Sequence, residues 1–259
     1  MEEKMGKLYA VGFGPGGYEH MTQKCIDVVN SVDVITGYTT YVEMMKQYYP
    51  DKEYVATPMM QEMDRCRMAV DLADQGKTVA MICSGDSGIY GMAGLLLEIK
   101  HEKGSDVEIE TVPGVTAASA AAGILGAPLM HDFTIISLSD LMTPLPLIMK
   151  RIDCAGQGDF IVCLYNPRSK KRADYLKRAA EILMKYRDAS TPVGVVRNAG
   201  RADESSYITS LDQIGDAPVD MFSIVIIGNS NTYVRDGKMI TPRGYQDKYG
   251  FANDGGKDE

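Results

Sequence analysis

Apolar positions along the chain fall into two recurring patterns. Short runs that are apolar nearly throughout, Lys7–Val11, Asp33–Thr36, Lys77–Ile82 and Val107–Thr111, predict buried strands, as do Phe160–Tyr165, Val193–Arg197 and Phe222–Gly228 further on. Between them lie segments with helical spacing. The first carries Cys25, Ile26, Val28 and Val29, and Tyr41–Tyr49, Glu62–Asp74, Ile89–Lys100, Thr116–Leu125 and Arg172–Tyr186 follow. In Glu62–Asp74 the apolar positions Met63, Cys66, Val70 and Ala73 recur near i, i+3 and i+4. Buried strands each followed by a helix predict an α/β chain with mainly parallel or mixed sheets covered by helices. Around Ser139–Pro146 the alternation breaks at two prolines and a polar stretch, so a junction is expected near Leu138–Pro144. That gives an N-terminal α/β domain over 1–138, a C-terminal α/β domain over 139–250, and a polar, glycine-rich tail over 251–259 expected to be disordered.

Three glycine-rich segments stand where predicted strands end. Gly12-Phe13-Gly14-Pro15-Gly16-Gly17 satisfies GxGxxG at Gly12, Gly14 and Gly17, the spacing of a dinucleotide loop. Two features oppose that use. The second strand ends Thr36-Gly37-Tyr38 without the acid that would hold ribose hydroxyls, and Pro15 removes an N–H from the loop. Ser84-Gly85-Asp86-Ser87-Gly88-Ile89-Tyr90-Gly91 puts an aspartate among glycines at the carboxyl end of a strand, where ligands of open α/β sheets collect. Asp86 there can accept from an amine or a ribose, or it can cap the helix that follows. Pro113-Gly114-Val115-Thr116-Ala117 runs into an alanine-rich helix whose small residues let a sheet or a ligand come close.

Composition narrows the chemistry. Of 259 residues, 45% are hydrophobic and 24% charged, as in a soluble globular chain. Only three histidines occur, His20, His101 and His131, far apart and without HxxxH spacing, so no protein-bound metal is expected. The five cysteines form no CxxC pair and sit mostly among apolar residues, which suits buried thiols of a cytoplasmic protein. A net charge of −8 offers no general attraction to nucleic acid, and no apolar run approaches a membrane span. The start of the chain, Met1-Glu2-Glu3-Lys4-Met5, reads as no signal peptide. One local exception to the acidity is the basic run Arg168, Lys170, Lys171 and Arg172, with Arg197 and Arg201 after later strands. Arginine suits bidentate recognition of carboxylates, so some of these are expected to face an anionic substrate.

Taken together and in this order, GFGPG, SGDSGIYG and VPGVTAASAAAG resemble the tetrapyrrole methyltransferase family, over nearly the whole chain from Leu8 to about Tyr245. Gly126–Phe133, Ile136–Pro144 and Tyr165–Ser169 look like the branch of that family that acts at ring carbon C17. That branch usually carries a tryptophan after Thr143-Pro144, where this chain reads Leu145-Pro146. The resemblance implies the tetrapyrrole methylase fold, two α/β domains with a ligand cleft between them, and a homodimer. It implies S-adenosylmethionine as co-substrate and an anionic tetrapyrrole as substrate. The implied reaction is C17 methylation of precorrin-3B or cobalt-factor III, with ring contraction. Carried over to this chain, the cofactor residues are Pro15, Ser84, Gly85, Asp86, Ile89, Thr116 and Ala117, followed by Tyr165, Asn166, Ala199 and Gly228. Gly14, Arg168, Arg172 and Arg197 are assigned to the substrate. His131, Asp132 and Asp140 are the candidates for acid/base work in ring contraction, or else turn and cap residues. Two alternatives stay open: methylation at another carbon, such as C11 or C20 or on uroporphyrinogen III, and an NAD(P)-dependent oxidoreductase using Gly12–Gly17.

Overall fold

The computed structural model describes residues 6–169 and 173–250. Two compact units emerge: residues up to Ala120 together with Gly200–Ala202, and Ala121–Ala199 together with the chain from Asp203. The expected tail 251–259 lies outside the described residues.

The first unit runs β1 (Lys7–Gly12), α1 (Gln23–Ser31), β2 (Val34–Tyr38), α2 (Thr39–Lys46), β3 (Glu53–Thr57), α3 (Glu62–Asp74), β4 (Thr78–Cys83), α4 (Ala93–Lys103), β5 (Glu108–Val112) and α5 (Ala117–Leu125), which continues into the second unit. Its five strands form one parallel sheet in the order β3-β2-β4-β1-β5. The period of two explains why the central strands are apolar throughout. Val11, Ala80 and Ile82 pack on one face against Cys25, Val29 and Val42 of α1 and α2. Leu8, Ala10, Val79 and Met81 pack on the other against Cys66, Val70, Leu96 and Ile99 of α3 and α4. Local chemistry sets the helix ends: the Thr22 hydroxyl accepts from Cys25 N at 3.1 Å to cap α1, and Gly104 closes α4 in the left-handed region at φ 62°. β3 was not foreseen, because this edge strand alternates exposed and half-buried residues instead of running apolar. Ile89–Met92 is a turn, so the helix expected from Ile89 begins at Ala93.

The second unit contains β6 (Gly126–Ala127), β7 (Phe133–Ser137), α6 (Leu145–Gln157), β8 (Ile161–Tyr165), α7 (Tyr175–Leu183), β9 (Pro192–Arg197), β10 (Ser205–Ser210), β11 (Ser223–Ile227), β12 (Tyr233–Arg235), β13 (Lys238–Ile240) and α8 (Tyr245–Tyr249). Its main sheet has the order β10-β9-β11-β8-β7 and is mixed: β7 and β8 are parallel, while β11 runs antiparallel to both β8 and β9. Ile148 and Ile152 of α6 and Leu176 and Leu183 of α7 cover it, against Val162, Leu164, Val193 and Val225. β12, β13 and β6 form a small separate sheet. The division between units falls inside α5, not near Leu138, since β7 pairs along its whole length with β8. The two prolines that read as a break open a helix instead. Pro144 precedes α6 and Pro146 lies in its first turn, where a missing N–H leaves no bond unmade.

Cysteine burial gives a direct check on this packing. Desolvation pushes the thiols of Cys25, Cys66 and Cys163 up to about 12 and that of Cys83 to about 11, whereas Cys154 is exposed. Titration of the native protein with a chromogenic disulfide at neutral pH is expected to modify Cys154 alone, and all five thiols after denaturation. Rapid reaction of a second thiol in the native state would contradict the packing described.

Candidate functional site

In the first unit the loops after β1, β4 and β5 meet backbone to backbone at the carboxyl edge of the sheet. Gly14 and Gly85 form a two-residue bridge, Gly14 N donating to Gly85 O at 3.0 Å and Gly85 N to Gly14 O at 2.7 Å. Both need positive φ, 84° and 71°, which favours glycine. A Cβ at Gly114 would stand 2.2 Å from Gly85 O and 2.6 Å from Gly12 O, so the third loop touches both others. Asp86 ties the contact together. Its Oδ1 accepts from Gly88 N at 2.8 Å and Ile89 N at 3.0 Å, and its Oδ2 accepts from Gly114 N at 3.0 Å. The carboxylate expected to meet a ligand's polar end thus first serves the protein's own backbone. Ser87, fully buried, donates its hydroxyl to Val112 O at 3.1 Å and fastens the same loops again.

Arg201 completes the arrangement from within this unit. Its Nε donates to Pro15 O at 3.0 Å and its Nη2 to Ser84 Oγ at 3.2 Å, bracing the first two loops side by side. Gly200 O accepts from Gly17 N at 3.1 Å. Donors a pyrophosphate would need are therefore already engaged at Gly14 and Gly17, and α1 starts only at Gln23, ten residues after Phe13. This geometry argues against the dinucleotide loop.

Gly85 is buried but not crowded. A Cβ there would meet nothing closer than Ala117 N at 3.8 Å and Thr116 Cα at 3.9 Å. Pro15, Ser84, Gly85, Asp86, Ile89, Thr116 and Ala117 thus come from adjoining loops, as expected. They present mainly backbone polar groups and small side chains, with Ile89 exposed beside them. Such a surface fits a neutral heterocycle and a short chain, whose edges need donors and acceptors and no fixed charge. Among the described residues no group of three or more His, Cys, Asp or Glu is placed to hold a metal ion.

The second unit sorts its expected residues onto two opposite edges of its sheet. Tyr165 and Asn166 end β8, Ala199 follows β9, and Asp140 follows β7; all lie at one edge, since Leu138 N bonds Tyr165 O at 2.9 Å and the Asn166 amide bonds Ser137 Oγ at 3.0 Å. Asn166 and Asn198 both stand at φ 52°, backbone strain concentrated at this edge. Gly228 is elsewhere. β11 runs antiparallel, so Gly228 N bonds Pro192 O at the start of β9, roughly 13 Å along the strands from Tyr165 and roughly 17 Å from the end of β9, which Ala199 follows, at ~3.3 Å per residue. Its O accepts from the buried Arg187. A strand end counts as a ligand position only if the strand is parallel to its neighbours, and β11 is not.

The acid/base candidates divide in the same way. His131 and Asp132 precede β7, where Asp132 O accepts from Ile161 N, while Asp140 follows it. His131 and Asp132 are exposed, and His131 Nδ1 accepts from Asp132 N at 2.9 Å, a local turn. Asp140 shares its edge with Tyr165 and accepts from the Tyr175 hydroxyl at 2.7 Å. The predicted basic residues are mostly engaged. Arg168 Nη2 donates to Gly215 O at 2.6 Å, and Arg197 pairs with Asp220 at 2.8 Å and Asp203 at 3.3 Å. Burial pushes the Asp220 carboxyl up, but hydrogen bonds led by Arg197 hold it below its ordinary value. Lys170, Lys171 and Arg172 lie outside the described residues.

Sequence reasoning passed over Arg65, Tyr38 and Tyr41. Arg65 is only 4% exposed although it lies on α3, its Nε donating to Thr57 Oγ1 at 2.8 Å and its Nη2 to Pro58 O at 3.0 Å. The signal was present: Arg65 precedes Ala69 and Ala73 at i, i+4 and i+8, on the buried stripe of its helix.

The family model of the tetrapyrrole (corrin/porphyrin) methylases matches residues 7–215. The chain is similar to a probable cobalt-factor III C(17)-methyltransferase from Salmonella typhimurium, 51% identical over 238 residues, 92% of this chain and 99% of that protein. It is also similar to a precorrin-3B C(17)-methyltransferase from a Sinorhizobium species, 39% identical over 249 residues and covering 93% and 97% of the two chains. Among solved structures, the methyltransferase CobJ shares the fold with a TM-score of 0.85 at 32% identity, covering 92% of this chain and all of that one. No helix of the described residues is long and apolar enough to cross a membrane.

Asp86 gives a test of the loop geometry. Asp86→Asn leaves one acceptor but turns an NH2 toward one of the backbone donors, so one bond to Gly88/Ile89 or to Gly114 is lost. The expected cost is about 1–3 kcal/mol, a thermal midpoint lower by roughly 2–12 °C. An unchanged midpoint by differential scanning calorimetry would contradict the role described.

Proposed function

The chain belongs to the tetrapyrrole (corrin/porphyrin) methylases, and we propose that it transfers a methyl group from S-adenosylmethionine to C17 of cobalt-factor III, with the accompanying ring contraction. The observation that carries this reading is its likeness, over nearly the whole of both chains, to the Salmonella enzyme. The lower identity to the precorrin-3B enzyme favours the cobalt-containing substrate over the metal-free one. Membership of this family replaces the oxidoreductase alternative.

S-adenosylmethionine supplies an electrophilic methyl on a sulfonium, transferred to a nucleophilic ring carbon with release of S-adenosylhomocysteine. The chain's own part is then chiefly alignment, which can be worth on the order of 7–11 kcal/mol. The backbone of Ser84–Asp86 and the start of α5 at Thr116 and Ala117 hold the cofactor, with Gly85 keeping their common surface clear of side chains. The brace from Arg201 to Pro15 O and Ser84 Oγ fixes the loops before a ligand arrives, so little ordering remains to oppose binding. In the second unit Tyr165, Asn166 and Ala199 stay together as ligand candidates at one edge of the sheet; Gly228, at the far edge, does not belong with them. For ring contraction, Asp140 is the proton carrier we favour. Its Oδ2 holds the Tyr175 hydroxyl, and its edge also bears Tyr165 and Asn166.

Incubation with methyl-labelled S-adenosylmethionine and either cobalt-factor III or precorrin-3B tests the reading. Mass spectrometry and NMR are expected to find one added methyl, at C17, in cobalt-factor III. Methylation of precorrin-3B alone would overturn the substrate, a methyl at another carbon would overturn the position, and binding of NAD(P) with no transfer would overturn the reaction.

A further inference from the structure

Two arginines at the carboxyl edge of the first sheet carry charges that no carboxylate among the described residues answers. Arg65 is buried on α3 and bonds only the Thr57 hydroxyl and the Pro58 carbonyl. Arg201 bonds only the Pro15 carbonyl and the Ser84 hydroxyl. Among the described residues neither has an acidic group within ion-pair distance, whereas the other buried arginine, Arg187, reaches Asp159 at 3.9 Å, and Arg197 has two aspartates. A guanidinium withdrawn from water without a counter-charge is costly, and a chain of net charge −8 has carboxylates to spare.

Aromatic side chains connect the two. The Arg65 guanidinium lies 5.8 Å from the Tyr38 ring centre, and the Tyr38 and Tyr41 rings meet edge to face at 5.2 Å. Burial pushes the Tyr41 phenol up, and both guanidiniums oppose that shift, Arg201 more than Arg65. The Tyr41 hydroxyl therefore stands, protonated, in the field of both charges. We propose that Arg201 and Arg65, with Tyr38 and Tyr41, form a carboxylate-recognition site that takes an acidic side arm of the tetrapyrrole. Arg201, half-buried, makes the contact, and Arg65 supplies positive potential from beneath. This rests on the tetrapyrrole reading above, and it moves substrate recognition away from Arg197, whose charge Asp203 and Asp220 already answer.

The sign of the salt dependence separates local pairing from the general field. Repulsion between a chain of charge −8 and an anionic macrocycle is relieved by salt, so affinity would rise; pairing with Arg201 and Arg65 is weakened by salt, so affinity falls. The cofactor's amino-acid end also carries a carboxylate, so both ligands are titrated. Calorimetry is run on the folded wild type, Arg201→Gln, Arg201→Lys and Arg65→Gln, with S-adenosylhomocysteine and then with cobalt-factor III, at low and high salt. Arg201→Gln is expected to weaken macrocycle binding about tenfold or more, Arg201→Lys less, with S-adenosylhomocysteine affinity falling by a smaller factor through loss of the brace to Pro15 and Ser84. Wild-type macrocycle affinity is expected to fall with salt, and less steeply in both glutamine variants. Unchanged macrocycle affinity in Arg201→Gln, a loss confined to S-adenosylhomocysteine, an equal loss of both, or wild-type affinity that rises with salt would each overturn the proposal. Should Arg65→Gln fail to fold, Arg201→Gln and the wild-type salt slope decide. A wild type that binds neither ligand would instead overturn the methyltransferase reading.

Discussion

Gly12 and Gly114 bring the backbones of three loops closer together than any side chain would allow. At Gly114 a single added carbon would lie 2.2 Å from one carbonyl oxygen and 2.6 Å from another, both backbone atoms with nowhere to move. Everything described at the carboxyl edge of the first sheet follows from that approach. It lets Asp86 span from one loop to the next, makes the bridge between Gly14 and Gly85 possible, and leaves Gly85 uncrowded beside α5. Parallel strands β1, β4 and β5 are what bring the three loops to one edge in the first place.

A site built this way is polar through its backbone and nearly neutral in its side chains, which suits a cofactor already carrying the reactive group. Charge is handled separately. The aspartate in the loops is occupied with N–H groups, while two guanidiniums without acidic partners among the described residues stand nearby among tyrosines. An acidic protein can thus receive an acidic ligand, because the relevant quantity is the local field and not the sum. The second unit, taken by itself, gathers Asp140, Tyr165, Asn166 and Ala199 at one edge of its sheet, where two asparagines are held in left-handed backbone.

Strands buried on both faces were legible because nearly every position is apolar: β1, β4, β8 and β11 all announce themselves in this way. Edge strands β3, β7 and β10 were not, since at most one residue of each is fully buried and the pattern imitates a loop. Proline misled at α6, where the first helical turn tolerates it. The glycine motifs showed which loops meet at the carboxyl edge of the first sheet, because a motif at a parallel strand's end has one place to be. Gly228 failed for the complementary reason: strand direction is a tertiary property that no local pattern carries. Arg168 and Arg197 looked free because their partners, Gly215 O and Asp220, are distant in sequence. Arg65 looked like an ordinary surface charge until its helix face was known.

The central claim is that close backbone contact among the three loops creates the cofactor surface. Gly114→Ala tests it most directly, since Gly114 needs no unusual φ and the added methyl acts by bulk alone. Hydrogen exchange and S-adenosylhomocysteine titration on this variant should give lost protection at Gly14, Gly85 and Gly88, undiminished protection in β8 and β9, and binding weakened by at least about tenfold. Wild-type affinity together with wild-type protection at Gly14 and Gly85 would contradict the account.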